Sequence, residues 1–246
     1  MRKLISRRNF IRSVAAASSA TIIGLSPRPI RPAEAQTQQF RDIPKLDGEL
    51  LLDDASRKAI AGDASNIFHR IPAAVLKPGS VQDIVEMVGY ANRHALKVAI
   101  KGNGHSTYGQ SQAEGGIVID SRALSAVHGP TAEGVDVEPG AFWGDVATAT
   151  LAKGVSPRVY LSNCTAVTVG GTLSVGGIGN TSNHYGAQVD NVTELDVVTG
   201  DGRFVSCSPD RESGLFNIAL GSVNAESSSA RESPSCRGRA MSCSTI

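Results

Sequence analysis

The residues of this 246-residue chain whose types and spacing could do chemistry gather in two glycine clusters. The first runs Ile100-Lys101-Gly102-Asn103-Gly104-His105-Ser106-Thr107-Tyr108-Gly109-Gln110. Glycines at this spacing let the backbone enter left-handed conformations and point consecutive N–H groups at one anion. The second runs Val169-Gly170-Gly171-Thr172-Leu173-Ser174-Val175-Gly176-Gly177-Ile178-Gly179 and could wrap a phosphate or a ring edge in the same way. Neither is a Gly-x-Gly-x-x-Gly fingerprint opening a helix, nor a phosphate loop closing on Gly-Lys-Ser/Thr. Each cluster alone reads as a turn; two in one domain point to a phosphate-bearing cofactor. Cys164, Cys207, Cys236 and Cys243 show no Cys-x-x-Cys spacing and no nearby His, so no metal site is expected. Cys164 and Cys207 are either a disulfide of an exported chain or two separate buried thiols.

The elements that must position these clusters alternate between helix and strand. Ser80 begins a helix, with Asp83 three residues on as a variant of the capping box. Val81, Ile84, Val85, Val88 and Ala91 then keep helical spacing to about His94. Short strands are predicted over 97–101, 115–120 and 134–138. A helix over 141–153 stops at Gly154. Residues 192–208 read as two strands joined by Thr199-Gly200-Asp201-Gly202, and a short helix follows over 210–220. Helices and strands in this order predict an α/β or α+β domain.

Charge separates the first 35 residues from the rest. They hold seven cations and one anion, a net of +6, which leaves −5 for residues 36–246 out of a total of +1. A body with that balance has no surplus to neutralise a polyphosphate, and nucleic acid is not an expected partner. Ser6-Arg7-Arg8-Asn9-Phe10 precedes a mildly apolar stretch, Val14 to Leu25, and Ala33-Glu34-Ala35 offers a cleavage site before Gln36. Residues 1–35 are therefore expected to be a bacterial twin-arginine signal peptide, which makes the export machinery a partner and the product periplasmic or secreted. The apolar stretch is too short to cross a bilayer, and no membrane span is expected elsewhere.

The segments KPGSVQDIVEMVGYAN, GNGHSTYGQSQAEGGIVID, TVGGTLSVGGIG, NHYGAQVDNVTELDVVTGDGRFVSCS and GLFNIALG fall in one order. Together, over about residues 65–221, they resemble the FAD-binding domain of the vanillyl-alcohol oxidase / p-cresol methylhydroxylase family, most closely the cytokinin dehydrogenases. The resemblance implies an α+β fold: a two-subdomain FAD-binding domain of the p-cresol methylhydroxylase type, incomplete at its C-terminal end. Residues 36–64 would be an N-terminal segment. The resemblance places Ile100, Gly102, Asn103, Gly104, Ser106 and Gln110 at the FAD, with the loop's N–H groups on the pyrophosphate. Thr168, Ser174 and Ile178 fall on further FAD-contacting positions. His105 falls on the position that binds the flavin covalently. A histidyl bond fixes the ring and tends to raise its potential as a hydride acceptor.

One position departs from the pattern. Cytokinin dehydrogenases carry an Asp that takes a proton from the substrate amine; Asn163 stands there, and an amide cannot serve as a general base near neutral pH. The expected activity is hydride transfer from an amine or another small molecule to bound FAD. A catalytically inactive flavin-binding fragment and an alcohol or sugar oxidase of the same fold are the alternatives.

Residues 222–246 also depart. Eight of these 25 are Ser and none is aromatic, so the segment is expected to be a disordered tail without a packed strand. Slid back by one base, synonymous codons allow LGQCGIIVSARVTLVPGPRHVVLDY, which restores the strand the family places after Ala-Leu-Gly. A frameshift that truncates the chain is the expectation.

Overall fold

The computed structural model describes residues 40–160 and 166–221 in full, and the backbone of 235–241 and 243–245. The signal-peptide reading, Asn163 and Cys164 lie outside the described residues, which all belong to the unit Gln39–Ile246.

The first sheet holds β1 (Glu49–Leu51), β2 (Ala74–Lys77), β4 (Ile117–Asp120) and β3 (Val98–Lys101) in that order. β1 is antiparallel to β2, while β2–β4 and β4–β3 are parallel. The Ile117-Val118-Ile119 run is buried on both sides, as a covered parallel strand requires. Ile117 and Ile119 meet α2 (Val81–Arg93) through Ile84, Met87 and Tyr90, whereas Val118 meets Ile60 behind α1 (Asp54–Ala59). Each such side chain contributes about 1.5–3 kcal/mol on full burial. β1 and α1 come from the stretch 36–64, so the first layer begins earlier than the resemblance alone placed it.

Ser80 caps α2 as the sequence predicts, accepting from the Asp83 N–H. The Asp83 carboxylate does not complete a capping box. It is 2 % exposed and accepts from the N–H groups of Asp47, Gly48 and Gly79 at 2.7–2.8 Å. That bond set ties the chain before β1 to the turn after β2.

The second sheet holds β5 (Val127–His128), β6 (Val135–Val137), β10 (Ser235–Met241), β8 (Val192–Val198) and β9 (Phe204–Cys207) in order, all antiparallel. β7 (Val155–Pro157) pairs separately with β11 (Cys243–Thr245). The helix α3 (Trp143–Leu151), α4 (Val169–Leu173), α5 (Ser182–Tyr185) and α6 (Ser213–Ala219) complete the elements. The Trp143 ring is buried and donates through Nε1 to Thr172 Oγ1 at 2.8 Å, which fixes α4 against α3. β10 is a correction to the expectation of a disordered tail without a packed strand. The physical reason is that β6 and β8 each present an open edge, and a ladder uses backbone N–H and C=O groups that every sequence other than proline supplies. Cys207 on β9 is a buried free thiol, pushed up in pKa by burial.

Candidate functional site

The first glycine loop leaves the C-terminal end of β3, and its supports come from far along the chain. Asp63 accepts from the Gly109 N–H at 2.8 Å and from the Ser65 hydroxyl at 2.6 Å. The Ser65 hydroxyl, and then the Gly109 N–H, hold its carboxyl below the usual carboxylate range. Arg70 donates to the Gly109 carbonyl at 3.0 Å, and Gln112 clamps Arg70 and Phe68 by its amide. Lys101 is buried and donates to the carbonyl of Ile60 at 2.8 Å and to that of Gly62. Burial lowers its pKa. Ala64 donates to the Gly104 carbonyl at 2.8 Å. The bonds that tie Asp63, Arg70 and Lys101 to the loop or to α1 were not legible as such, because each spans more than thirty positions of sequence.

The two glycine clusters meet. A Cβ on Gly102 would lie 2.1 Å from Thr168 Oγ1, so only glycine allows this close approach. Asn103 Nδ2 donates to the Ala166 carbonyl at 2.7 Å. Gly104 stands at φ +72°, where other residues are strained. His105 is exposed between Gly104 and Ser106. Ser106 shares a hydrogen bond with Ser111, and Gln110 accepts from the Tyr108 N–H. Among the described residues, the N–H groups of Asn103, Gly104 and Ser106 have no acceptor. A row of such donors on a left-handed turn is the form that backbone takes around phosphate.

Beyond Thr168, the short helix α4 leads to Ser174, whose hydroxyl donates to the Gly170 carbonyl at 2.7 Å. Ile178 follows, 78 % exposed, with Val175 at 59 %. Ile100 differs from the rest. Its side chain is half-buried and packs against the core over α2. Gln188 was not singled out from the sequence. It is 2 % exposed, a Cβ on Gly177 would lie 2.0 Å from its Oε1, and neither of its amide atoms has a partner among the described residues. Such a group costs about 1–3 kcal/mol. Apolar side chains turned outward thus lie beside a buried amide with no partner among the described residues. Among the described residues no three His, Cys, Asp or Glu side chains gather as a metal centre would need.

Residues 72–208 match the family model described as FAD binding domain. The chain belongs to that family. The FAD-binding domain is 41% identical over 171 residues to an uncharacterized oxidoreductase of the fasciation locus of Rhodococcoides fascians, covering 70% of this chain and 39% of that protein. It is 43% identical over 190 residues to cytokinin dehydrogenase 4 of Oryza sativa subsp. japonica, covering 73% and 35%. The chain thus spans less than half the length of these relatives. Its fold matches 6-hydroxy-D-nicotine oxidase from Arthrobacter nicotinovorans with a TM-score of 0.70 at 23% identity, over 82% of this chain and 44% of that one. It also matches glucooligosaccharide oxidase from Acremonium strictum, described as carrying a 6-S-cysteinyl, 8α-N1-histidyl FAD. There the TM-score is 0.69 at 23% identity, over 81% and 41%. The α+β FAD-binding architecture expected from the sequence is the architecture present. No described helix is long and apolar enough to cross a membrane.

Proposed function

We propose that the chain is the flavin-holding part of a cytokinin-dehydrogenase-like oxidoreductase, with FAD bound covalently through His105. The observation that carries this reading is the meeting of the two glycine clusters, Gly102 against Thr168 and Asn103 on Ala166. It brings the first glycine loop against the segment that leads into the second. When bound, the flavin supplies a two-electron acceptor for hydride from a small-molecule substrate. The protein's residues do the rest. Asn103, Gly104 and Ser106 offer N–H groups to the pyrophosphate. Val175 and Ile178 offer apolar surface. His105 holds the ring in one place.

The test is a titration with FAD. Binding is expected to quench flavin fluorescence at one site per chain. Absence of saturable binding would falsify the reading.

One residue bears on the substrate class. Asn163, at the position of the amine-accepting Asp, supports an alcohol or sugar as the second reading, and a catalytically inactive flavin-binding fragment as the third. A panel of secondary amines against alcohols and sugars, followed by flavin bleaching, separates them. Export belongs to the same proposal. Arg7→Lys with Arg8→Lys is expected to hold the precursor in the cytoplasm, because the signal is read as paired guanidinium groups. A product beginning near Gln36 in the periplasm of the double variant would sink that part.

A further inference from the structure

The loop Gly102–Gln110 contains no Lys or Arg, yet a dinucleotide brings two phosphate charges to it. Two cations lie against it: Arg70 bonds the Gly109 carbonyl at its far end, and Lys101 lies directly behind Gly104. A Cβ on Gly104 would sit 2.7 Å from Lys101 Cε and 3.3 Å from its Nζ. The ammonium donates only to carbonyls, those of Ile60 and Gly62, at the C-terminal end of α1. Those carbonyls offset part of the cost of burying it. The carboxylates nearby are committed elsewhere. Asp120 takes two bonds from Arg122, at 2.8 and 2.7 Å, and Asp63 holds Ser65 and Gly109. Among the described residues, Lys101 makes no ion pair.

We infer that Lys101 is a positioning residue for the phosphates. It pins the Gly104 turn to the end of α1 and sets a positive charge, held by carbonyls rather than by an ion pair, behind the N–H donors that face the anion. The inference rests on reading the loop as a pyrophosphate cradle. A charge behind a single layer of backbone, away from water, acts through a low dielectric and is felt strongly.

Burial lowers the Lys101 pKa, Arg122 lowers it further, and Asp120 and Asp63 oppose the shift. Two consequences of opposite sign follow as pH rises through that lowered value. The folded chain loses a buried charge while the unfolded chain still holds its proton, so stability rises. Anion affinity falls, because the attracting charge has gone. A lysine that merely fills space would produce the first effect without the second.

The experiment measures binding of inorganic pyrophosphate, and separately of FAD, to the wild-type chain, Lys101→Met and Lys101→Arg across the alkaline range. Lys101→Met is expected to weaken both by about tenfold or more. Wild-type affinity is expected to fall with rising pH, and Lys101→Arg, which stays charged, to hold level. Pyrophosphate binding equal in wild type and Lys101→Met overturns the inference, as does an equal alkaline fall in Lys101→Arg. If Lys101→Met does not fold, the comparison with Lys101→Arg decides alone. Lysine-dependent pyrophosphate binding without FAD binding leaves the inference standing and removes the FAD reading. No pyrophosphate binding by the wild type overturns the inference.

Discussion

His105→Ala is expected to convert a protein that stays yellow through acid precipitation into one that releases all its flavin to the supernatant. The effect is all-or-none because it removes the only imidazole of the loop. The loop itself should survive. Three of its anchors, Asp63 on Gly109, Arg70 on the Gly109 carbonyl and Ala64 on the Gly104 carbonyl, do not involve the His105 ring. The alanine variant is therefore expected to melt within a few degrees of the wild type and still to bind FAD reversibly, through the same N–H groups. Acid-stable colour in the variant's pellet would place the tether on another residue. Loss of reversible binding together with the colour would mean that the imidazole holds the loop rather than the flavin.

Asn163→Asp is expected to raise the rate of flavin reduction by secondary amines about 10²–10⁴-fold, the usual worth of a positioned general base, in a chain extended to the full length of its relatives. The amine must give up a proton as hydride leaves. The Asn163 amide has no basic lone pair to receive it, and a carboxylate has. A carboxylate must be ionised to act as a base, so the gain should grow as pH rises through its pKa. An unchanged amine rate at every pH, beside good turnover of an alcohol or sugar by the Asn163 protein, would assign the chain to different chemistry.

Much of this fold was legible because short-range physics decides it. The helix Val81–Arg93 announces itself by Ser80 and by apolar residues at helical spacing, and it begins where predicted. The hairpin Val192–Cys207 follows from alternation around the Thr199–Gly202 turn. Ala74–Lys77 gave no such signal. Four residues of mixed character become a strand because a parallel neighbour, Ile117–Asp120, receives them. Asp83 illustrates the limit more sharply. Its spacing from Ser80 suggests a local cap, and its carboxylate instead serves N–H groups some 35 positions away. The site divides in the same way. Glycine spacing reveals the two loops, since left-handed turns and close approach depend on local composition. Lys101, Asp63, Arg70 and Gln188 could not be read, since their roles exist only once distant segments touch.

The strand Ser235–Met241 lies between β6 and β8, both of which precede it in the chain. During synthesis the two outer pairs, β5–β6 and β8–β9, are therefore complete before the element that joins them has been made. At about 5–20 residues per second, the interval between Cys207 and Met241 lasts roughly 2–7 seconds. Throughout that time two strand edges face the cytoplasmic milieu unpaired, the arrangement most open to capture by another chain. The sheet's middle is its youngest part. Closing it requires residues some hundred positions apart to find one another, a late and slow step for any nascent protein.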